Sequence, residues 1–534
     1  MNQHILANKW FIDTSGQEPL LDLSRDELKN HWLPPQTRHD GSTLSDYTVD
    51  NDVTPLIDGE NIMPAWHDGV VHLTQNHSNA QLLHSGWAMG NIPVKGGKQV
   101  VPLLDALLKQ TDEVYVALSD HWFNKGGNRQ MTDLIGVDTA ATDSRYPDWG
   151  SAHVKSTVFQ DGSDDRALVG SADLWMPARS QRSHQYDRQH EVSALLYGPA
   201  VEDVQRSFIH RYNDSTRDDV KGRLRHWKTQ TQQGKNASHQ QLVSKKVPKL
   251  SANSIQTQTT GTHAVQVLET FGIDHDDESY SWANGSGGEF TAWAARLRAL
   301  SKATDYIYIE DQYFVPFADP GASVMLVPEY ELAMKTGTNG AGYKWAPFTH
   351  LREKLEAGVD VFVVTNPTLG GTFANTASHA RTEGLIELRD AAQTQGAGRF
   401  VVATMEVNGE TRSTHSKLLL CDDEYVSLGS ANFNRRSMTN DTELQLGIVD
   451  GDGQLVTDLR TDIWAEHLDV SASSLGDLST AKTTFAHRVA TARGRLRQLP
   501  IPDELPGEPV NQLAGINIWD HYGGPDDRTP EAEE

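Results

Sequence analysis

The sequence predicts an α/β protein of two similar halves, each a mixed β-sheet flanked by helices, related by a pseudo-twofold axis with the active site between them. Three observations predict it. Helical stretches lead repeatedly into strand-length apolar runs, one residue pattern occurs twice, and a polar, basic stretch separates the copies. The expected organisation is a first half over 1–214, a linker over 215–262, a second half over 263–497 and a tail over 498–534.

In the first half, Val101–Gln110 reads as a helix leading into a strand at Glu113–Leu118. The second half repeats the step: helix Thr291–Lys302 leads to strand Tyr306–Glu310, where aromatic and β-branched residues alternate. Leu351–Ala357 is another helix, stopped by Gly358, a good C-cap residue, and followed by the apolar run Val359–Val364. Such a run suits a strand buried on both faces. Amphipathic helices at Pro199–Tyr212 and Gln454–His467 close the halves. Between Arg217 and Lys249 stand nine Lys/Arg and two Asp, which predicts an exposed excursion, a solvated helix plus a polar loop. The Pro- and Gly-rich stretch after Gln498 ends acidic and reads as a surface-hugging tail.

With 534 residues, 37% apolar residues and 13 Trp, the chain has material for a large core, which excludes wholesale disorder. The 47 basic and 72 acidic residues give a net charge of −25, against indiscriminate adhesion to nucleic acid or an anionic bilayer. One cysteine, Cys421, excludes a disulfide framework and a multi-thiolate zinc site; its apolar surroundings predict a buried structural thiol. No secretory signal is visible in Met1–Ser15, and apolar runs such as Val359–Val364 are far too short to cross a bilayer. The expectation is a soluble monomer, cytoplasmic or exported without a signal peptide, with no nucleic-acid partner.

The repeated pattern carries the chemistry. In THSKLLLCDDEYVSLGSANF, His415 and Lys417 stand two apart and are expected on one face of a strand. Asp422 opens a turn, a strand Tyr425–Leu428 follows, and Gly429, Ser430 and Asn432 come next. An imidazole, an ammonium, a hydroxyl and an amide converging at a tight glycine turn suit a bound phosphate: the lysine neutralises charge while Ser430 and Asn432 donate to nonbridging oxygens. The first copy, AHVKSTVFQDGSDDRALVGSAD, repeats His153, Lys155, Gly170 and Ser171, with Asp173 in the place of Asn432. One His-x-Lys is a weak signal; two copies with the same sequel are a strong one.

This pattern resembles the signature of the phospholipase D superfamily, His-x-Lys-x4-Asp-x6-Gly-Ser-x-Asn occurring twice. The second copy matches position for position. The first departs: Gln160 holds the expected Asp position, Asp161 comes one residue late, and the stretch from His153 to Gly170 is three residues longer than its counterpart. Asp173-Leu174, with Arg179 beyond, looks like the variant first motif of eukaryote-type members. Pro55–Gly59, Gly198–Val201, Ile307–Phe314 and Trp464–Leu468 are further similar segments, so the resemblance runs from about Thr54 to Leu468.

The resemblance implies a phospholipase D that cleaves the distal phosphodiester of glycerophospholipids such as phosphatidylcholine, at a membrane or micelle surface, with transphosphatidylation to alcohols. His153 is then the nucleophile that forms a phosphohistidine, and His415 the general acid. Each histidine needs an acceptor on its other ring nitrogen, and Glu191 and Glu443 match the orienting acidic positions. Asp161, Asp422, Gly170 and Gly429 are structural members of the motif. No metal or cofactor is expected, the two lysines and the hydrogen-bond donors supplying the electrostatics. The alternatives are a phosphatidyltransferase of the cardiolipin-synthase type and a non-catalytic lipid-binding relative.

Weaker signals complete the reading. His67, His72, His77 and His84 fit no ligand spacing and read as surface and loop histidines. Trp122, Trp149, Trp175, Tyr313, Phe314 and Phe433 lie near the motifs and read mostly as packing residues, the alternative being a cage for a choline ammonium. Residues 315–346 are too long for a plain connection and read as a lid or a surface insertion.

Overall fold

The computed structural model describes residues 2–15, 44–75, 80–121, 124–136, 140–143, 150–185, 189–214, 224–229, 240–243, 250–256, 261–271, 289–315, 347–369, 374–439 and 441–505. Trp122, Trp149, His77, nearly all of the 315–346 segment and the tail beyond 505 lie outside them.

Among the described residues, further strands add at the edges of two sheets, whose repeated part is fourteen strands. In the first half they are β1 (Thr48–Ile57), β2 (Gln81–Gly86), β3 (Val114–Ser119), β4 (Ala140–Asp143), β5 (Ser156–Gln160), β6 (Arg166–Gly170) and β7 (Val192–Tyr197). In the second they are β8 (His263–Phe271), β9 (Tyr306–Asp311), β10 (Asp360–Thr365), β11 (Phe400–Val407), β12 (Lys417–Cys421), β13 (Tyr425–Gly429) and β14 (Thr442–Asp450). The spatial order is β1-β7-β6-β5-β2-β3-β4 in one sheet and β8-β14-β13-β12-β9-β10-β11 in the other. Each has three parallel strands at one end and antiparallel pairing elsewhere. The order is the same twice over, and β1 also pairs with β8, joining the sheets.

The apolar runs dictate this layering. Along β9, Tyr306 and Tyr308 face a core shared by both halves, while Ile307 and Ile309 face a second core under helices Thr291–Lys302 and Pro347–Glu356. A strand covered on both faces needs apolar residues at every position rather than at alternate ones. The shared core takes Val158 and Val169 from one sheet, Leu420 and Leu446 from the other, and Trp464 from helix Leu455–Leu468. The first sheet has its own outer core with Trp66 and Leu104. Gly358 ends its helix at φ 93°, a backbone state that glycine adopts without penalty. Cys421 is a buried free thiol.

Two expectations change. The basic stretch after 214 holds no helix among its described residues. Leu224–Thr229 and Gln240–Val243 form an antiparallel hairpin, and the first of these strands pairs with the edge strand β4. Alternating residues and an open sheet edge outweigh the polar composition. His84 is not at the surface: it lies within β2, covered on both sides, its Nδ1 2.8 Å from Thr157 Oγ1, and burial drives its pKa down to about 3. His67 is buried as well, in helix Gly59–Gln75 beside Asp68.

Candidate active site

His153 and Lys155 sit just ahead of β5, and His415 just ahead of β12, which Lys417 opens, because the backbone at each histidine bonds to the opposite half. His415 N–H and Ser416 N–H both donate to His190 O, at 2.9 and 3.1 Å, and His153 N–H donates to Thr442 O at 3.0 Å. Short parallel pairings fix the approach. Ser413 and Thr414 lie beside Gln189 and His190, and Ala152 lies beside Thr442. The residue following each contact is a glutamate, so each histidine meets the carboxylate of the other half. His153 Nδ1 lies 2.9 Å from Glu443 Oε1, and His415 Nδ1 lies 2.9 Å from Glu191 Oε1. Sequence supplied the four residues; the exchange between halves was not visible in it.

Both imidazoles line one cavity of about 260 Å3, together with Trp87, His121, Trp175, Gln312, Tyr313, Asn432 and Arg436. With Nδ1 engaged, each ring leaves Nε2 for the cavity. The lysines are buried beside their histidines: Lys155 Nζ donates to His153 O at 3.0 Å and lies 3.4 Å from Asp173 Oδ2. Lys417 Nζ donates to Gln312 Oε1 at 3.2 Å and also to His415 O. Burial lowers the Lys417 pKa to about 8, and the charge of Lys155 adds to the effect.

Three residues expected to hold phosphate do something else. Ser171 Oγ donates to Glu191 Oε2 at 2.5 Å and accepts from Val192 N–H. Ser430 Oγ lies 2.5 Å from Glu443 Oε2, accepts from Leu444 N–H and is 3.2 Å from Leu444 O. Both hydroxyls are fully buried and orient the glutamates. A short side chain directly after a glycine turn reaches the neighbouring strand, not the cavity. Asp173 accepts from Trp87 N–H and Ala88 N–H through Oδ1, which anchors the cavity wall beneath Lys155. Asn432 does face the cavity, and its buried Oδ1 has no hydrogen-bond partner among the described residues.

The motif aspartates differ between copies. Asp422 accepts from Thr304, Asp305 and Tyr306 N–H and so fixes the start of β9. Asp161 instead accepts from Ser163 and Asp164 N–H in its own turn, at 2.8 and 2.9 Å. Gln160 bonds to Gln205. Both motif glycines are held by close approach: a Cβ at Gly170 would lie 2.4 Å from Ser193 Cα, and one at Gly429 would lie 2.4 Å from Leu444 O and 2.7 Å from Gln445 Cα. Gly429→Ala should therefore push β14 and Glu443 aside, costing about 1–3 kcal/mol, read as a lower Tm together with reduced turnover.

The electrostatics of the two couples are unequal. Burial would raise the Glu191 pKa, but the charges of His415 and Lys417 and the Ser171 hydrogen bond carry it below its ordinary value. Glu443 goes the other way: burial, then the neighbouring Asp441 charge, push it up to about 8. Burial, then the charges of Lys155, Lys417 and Arg436, hold His153 well below 6.5. His415 is also lowered by burial, but Glu191 opposes that shift. Asp441 was missed from sequence; it accepts from Ser151 N–H and Arg436 Nε at 2.6 and 2.7 Å. Its one signal was its place two residues before Glu443.

Because the fold favours protonated Glu443, this group leaves stability intact at acid pH and removes it as pH rises towards its folded pKa. Glu443→Gln should flatten the fall in Tm between about pH 5 and 8. An unchanged pH profile would show that the carboxyl is ionised throughout.

Comparison with known proteins gives the lineage. Residues 297–465 match the family model described as cardiolipin synthase, PLD-like domain. Phospholipase D1 of Rattus norvegicus is 24% identical over 385 residues, covering 66% of this chain and 31% of its own length. Phospholipase D beta 2 of Arabidopsis thaliana is 32% identical over 136 residues, 21% of this chain and 15% of its own. These likenesses support membership of the phospholipase D superfamily.

This superfamily comprises phosphodiesterase-type enzymes. The chain spans less than a third of the length of the curated relatives above. Among solved structures, the phosphatidylserine synthase of Haemophilus influenzae Rd KW20 aligns with a TM-score of 0.45 at 13% identity, over 84% of this chain and 95% of its own. Among the described residues, no helix is long and apolar enough to cross a membrane.

Proposed function

We propose that the protein is a phospholipase D, which hydrolyses the distal phosphodiester of a glycerophospholipid to phosphatidate and a head-group alcohol. The observation that carries the reading is the convergence of two imidazoles on one cavity, each oriented by the opposite half's glutamate. His153 Nε2 attacks phosphorus and the bond from phosphorus to the head-group oxygen breaks. His415, protonated at Nε2, gives that proton to the departing alkoxide. Neutral His415 then takes a proton from water, the water oxygen displaces His153, and both rings return to their starting states.

The inequality of the glutamates supports this division. Ionised Glu191 favours the imidazolium form of His415, whereas a protonated Glu443 leaves His153 neutral and nucleophilic. In that state Glu443 Oε2 donates to Ser430 Oγ, which passes its own proton towards Leu444 O. Oε1 then accepts the Nδ1 proton of His153 and leaves Nε2 free. Lys155 and Lys417 neutralise the phosphate, with Asn432 donating to it. The reaction as written uses no metal.

The match of 297–465 to a cardiolipin synthase domain favours a second outcome for the same phosphoenzyme, transfer to an alcohol in place of water. One assay addresses both. Phosphatidylcholine in mixed micelles, with EDTA present and a primary alcohol added, should yield choline with phosphatidate and the phosphatidyl alcohol in competition. Absence of head-group release from a full panel of glycerophospholipids would overturn the proposal.

A further inference from the structure

Below the cavity, between the halves, lies a second group of buried histidines and carboxylates that the reaction above does not use. His184 Nε2 is 2.8 Å from Glu466 Oε1 and 3.2 Å from Asp58 Oδ2. His190 Nδ1 is 3.2 Å from Asp58 Oδ1 and 3.5 Å from Glu466 Oε1. All four side chains are sealed from solvent, at 0–2% exposure. Hydrogen bonds do not account for the arrangement. Once His184 donates to Glu466, Asp58 Oδ2 and His190 Nδ1 are left with ion-pair contacts at 3.2 Å that lack hydrogen-bond geometry. Buried polar atoms held by such poorly directed contacts are costly in a protein interior.

A divalent cation at the centre would satisfy all four groups at once, and we infer that Asp58, His184, His190 and Glu466 form a structural zinc site joining the two halves. Two imidazole nitrogens with two carboxylates select a borderline cation such as Zn2+ over Mg2+ or Ca2+. Tetrahedral ligands at zinc bond lengths stand about 3.3 Å apart, within the spread of the separations above. The charges also close: two carboxylates, two neutral imidazoles and one dication sum to zero, as a dry site requires.

The atoms turned away from the centre are held by outer partners. Asp58 Oδ1 accepts from Ser180 Oγ at 3.0 Å and from Glu191 N–H at 3.1 Å. Glu466 Oε2 accepts from Arg182 Nε at 2.9 Å, and His190 Nε2 lies 2.8 Å from Glu310 Oε1. This is the support that fixes ligands around a metal. Three ligands come from the first half and the fourth from helix Leu455–Leu468 of the second. The site touches no substrate. It acts through His190, whose carbonyl holds the His415 backbone, and through Glu191, whose N–H is bound to Asp58. The four are positioning residues for the His415 couple.

Metal content tests the inference without substrate, so its failure and that of the lipase reading are distinguishable. Untagged full-length protein, grown with zinc and freed of loose ions by gel filtration, should carry roughly one zinc per chain by mass spectrometry. Protein grown with cobalt should show the intense visible absorption of a tetrahedral ion. Asp58→Asn and His184→Ala should each lose the metal at least tenfold and lower Tm. Glu443→Gln, which alters a separate buried group of His153, Asp441 and Glu443, should retain it. If His184→Ala fails to fold, the cobalt spectrum and Asp58→Asn decide. Wild-type protein without zinc and without a cobalt spectrum overturns the inference, as does zinc that survives Asp58→Asn or leaves with Glu443→Gln. Brief EDTA in the lipid assay does not strip so enclosed an ion, so turnover there is compatible with it.

Discussion

Replacing either His153 or His415 with alanine is expected to reduce kcat/KM for a phospholipid by about 10⁴-fold or more, with the fold intact. The two are not redundant, since one imidazole must attack while the other protonates the leaving group. Each ring is mostly buried at the cavity wall, so truncation opens space there without removing a core contact, and Tm should move by only a few degrees. His415→Asn separates the roles. Without the acid, and later the base, the phosphoenzyme should accumulate, with labelled phosphate on residue 153 after rapid quench and digestion. Label on residue 415 in a His153 variant would reverse the order of attack.

Glu191→Gln should lower kcat by about 10²–10⁴-fold, while Glu443→Gln should cost less than about tenfold. The contrast follows from charge. Glu191 is held ionised against His415 and Lys417, so a neutral amide removes the anion that stabilises the imidazolium and also leaves Ser171 with a poorer acceptor. Burial and the Asp441 charge push Glu443 up to about 8, which favours its neutral form at pH 7, and glutamine keeps an oxygen for His153 Nδ1. Steady-state kinetics at pH 7 on both variants, with circular dichroism to confirm folding, decides the matter. Equal losses would mean that the two couples carry the same charge and that position alone assigns the roles.

Much of this was legible in the sequence. The doubled His-x-Lys pattern and its Gly-Ser sequel located every motif residue, and the continuous apolar runs at β9 and β10 announced strands covered on both faces. What was hidden is what depends on how two distant segments meet. Nothing in QHEV or DTEL says that Glu191 serves His415 and Glu443 serves His153, because that follows from the parallel contacts made by Gln189 and Ala152. Ser171 and Ser430 were given to the phosphate because a hydroxyl suits it, yet backbone direction after a glycine turn aims them at the glutamates. The hairpin after residue 223 escaped notice since its composition is that of a loop, and its strand exists only because β4 offers an unpaired edge. Asp58, His184 and Glu466 share no motif, and only the joining of the halves gathers them.

The swap of carboxylates has a consequence for anyone cutting the molecule. A fragment ending near residue 214 would possess an imidazole with nothing to set its tautomer and a spare glutamate with no ring to serve; the remaining piece would have the mirror defect. Separately expressed pieces should be inert even if soluble, and mixing them should restore turnover only as fast as they dock. Any hinge movement at the seam would detune the two couples in the same instant, making their alignment a single degree of freedom.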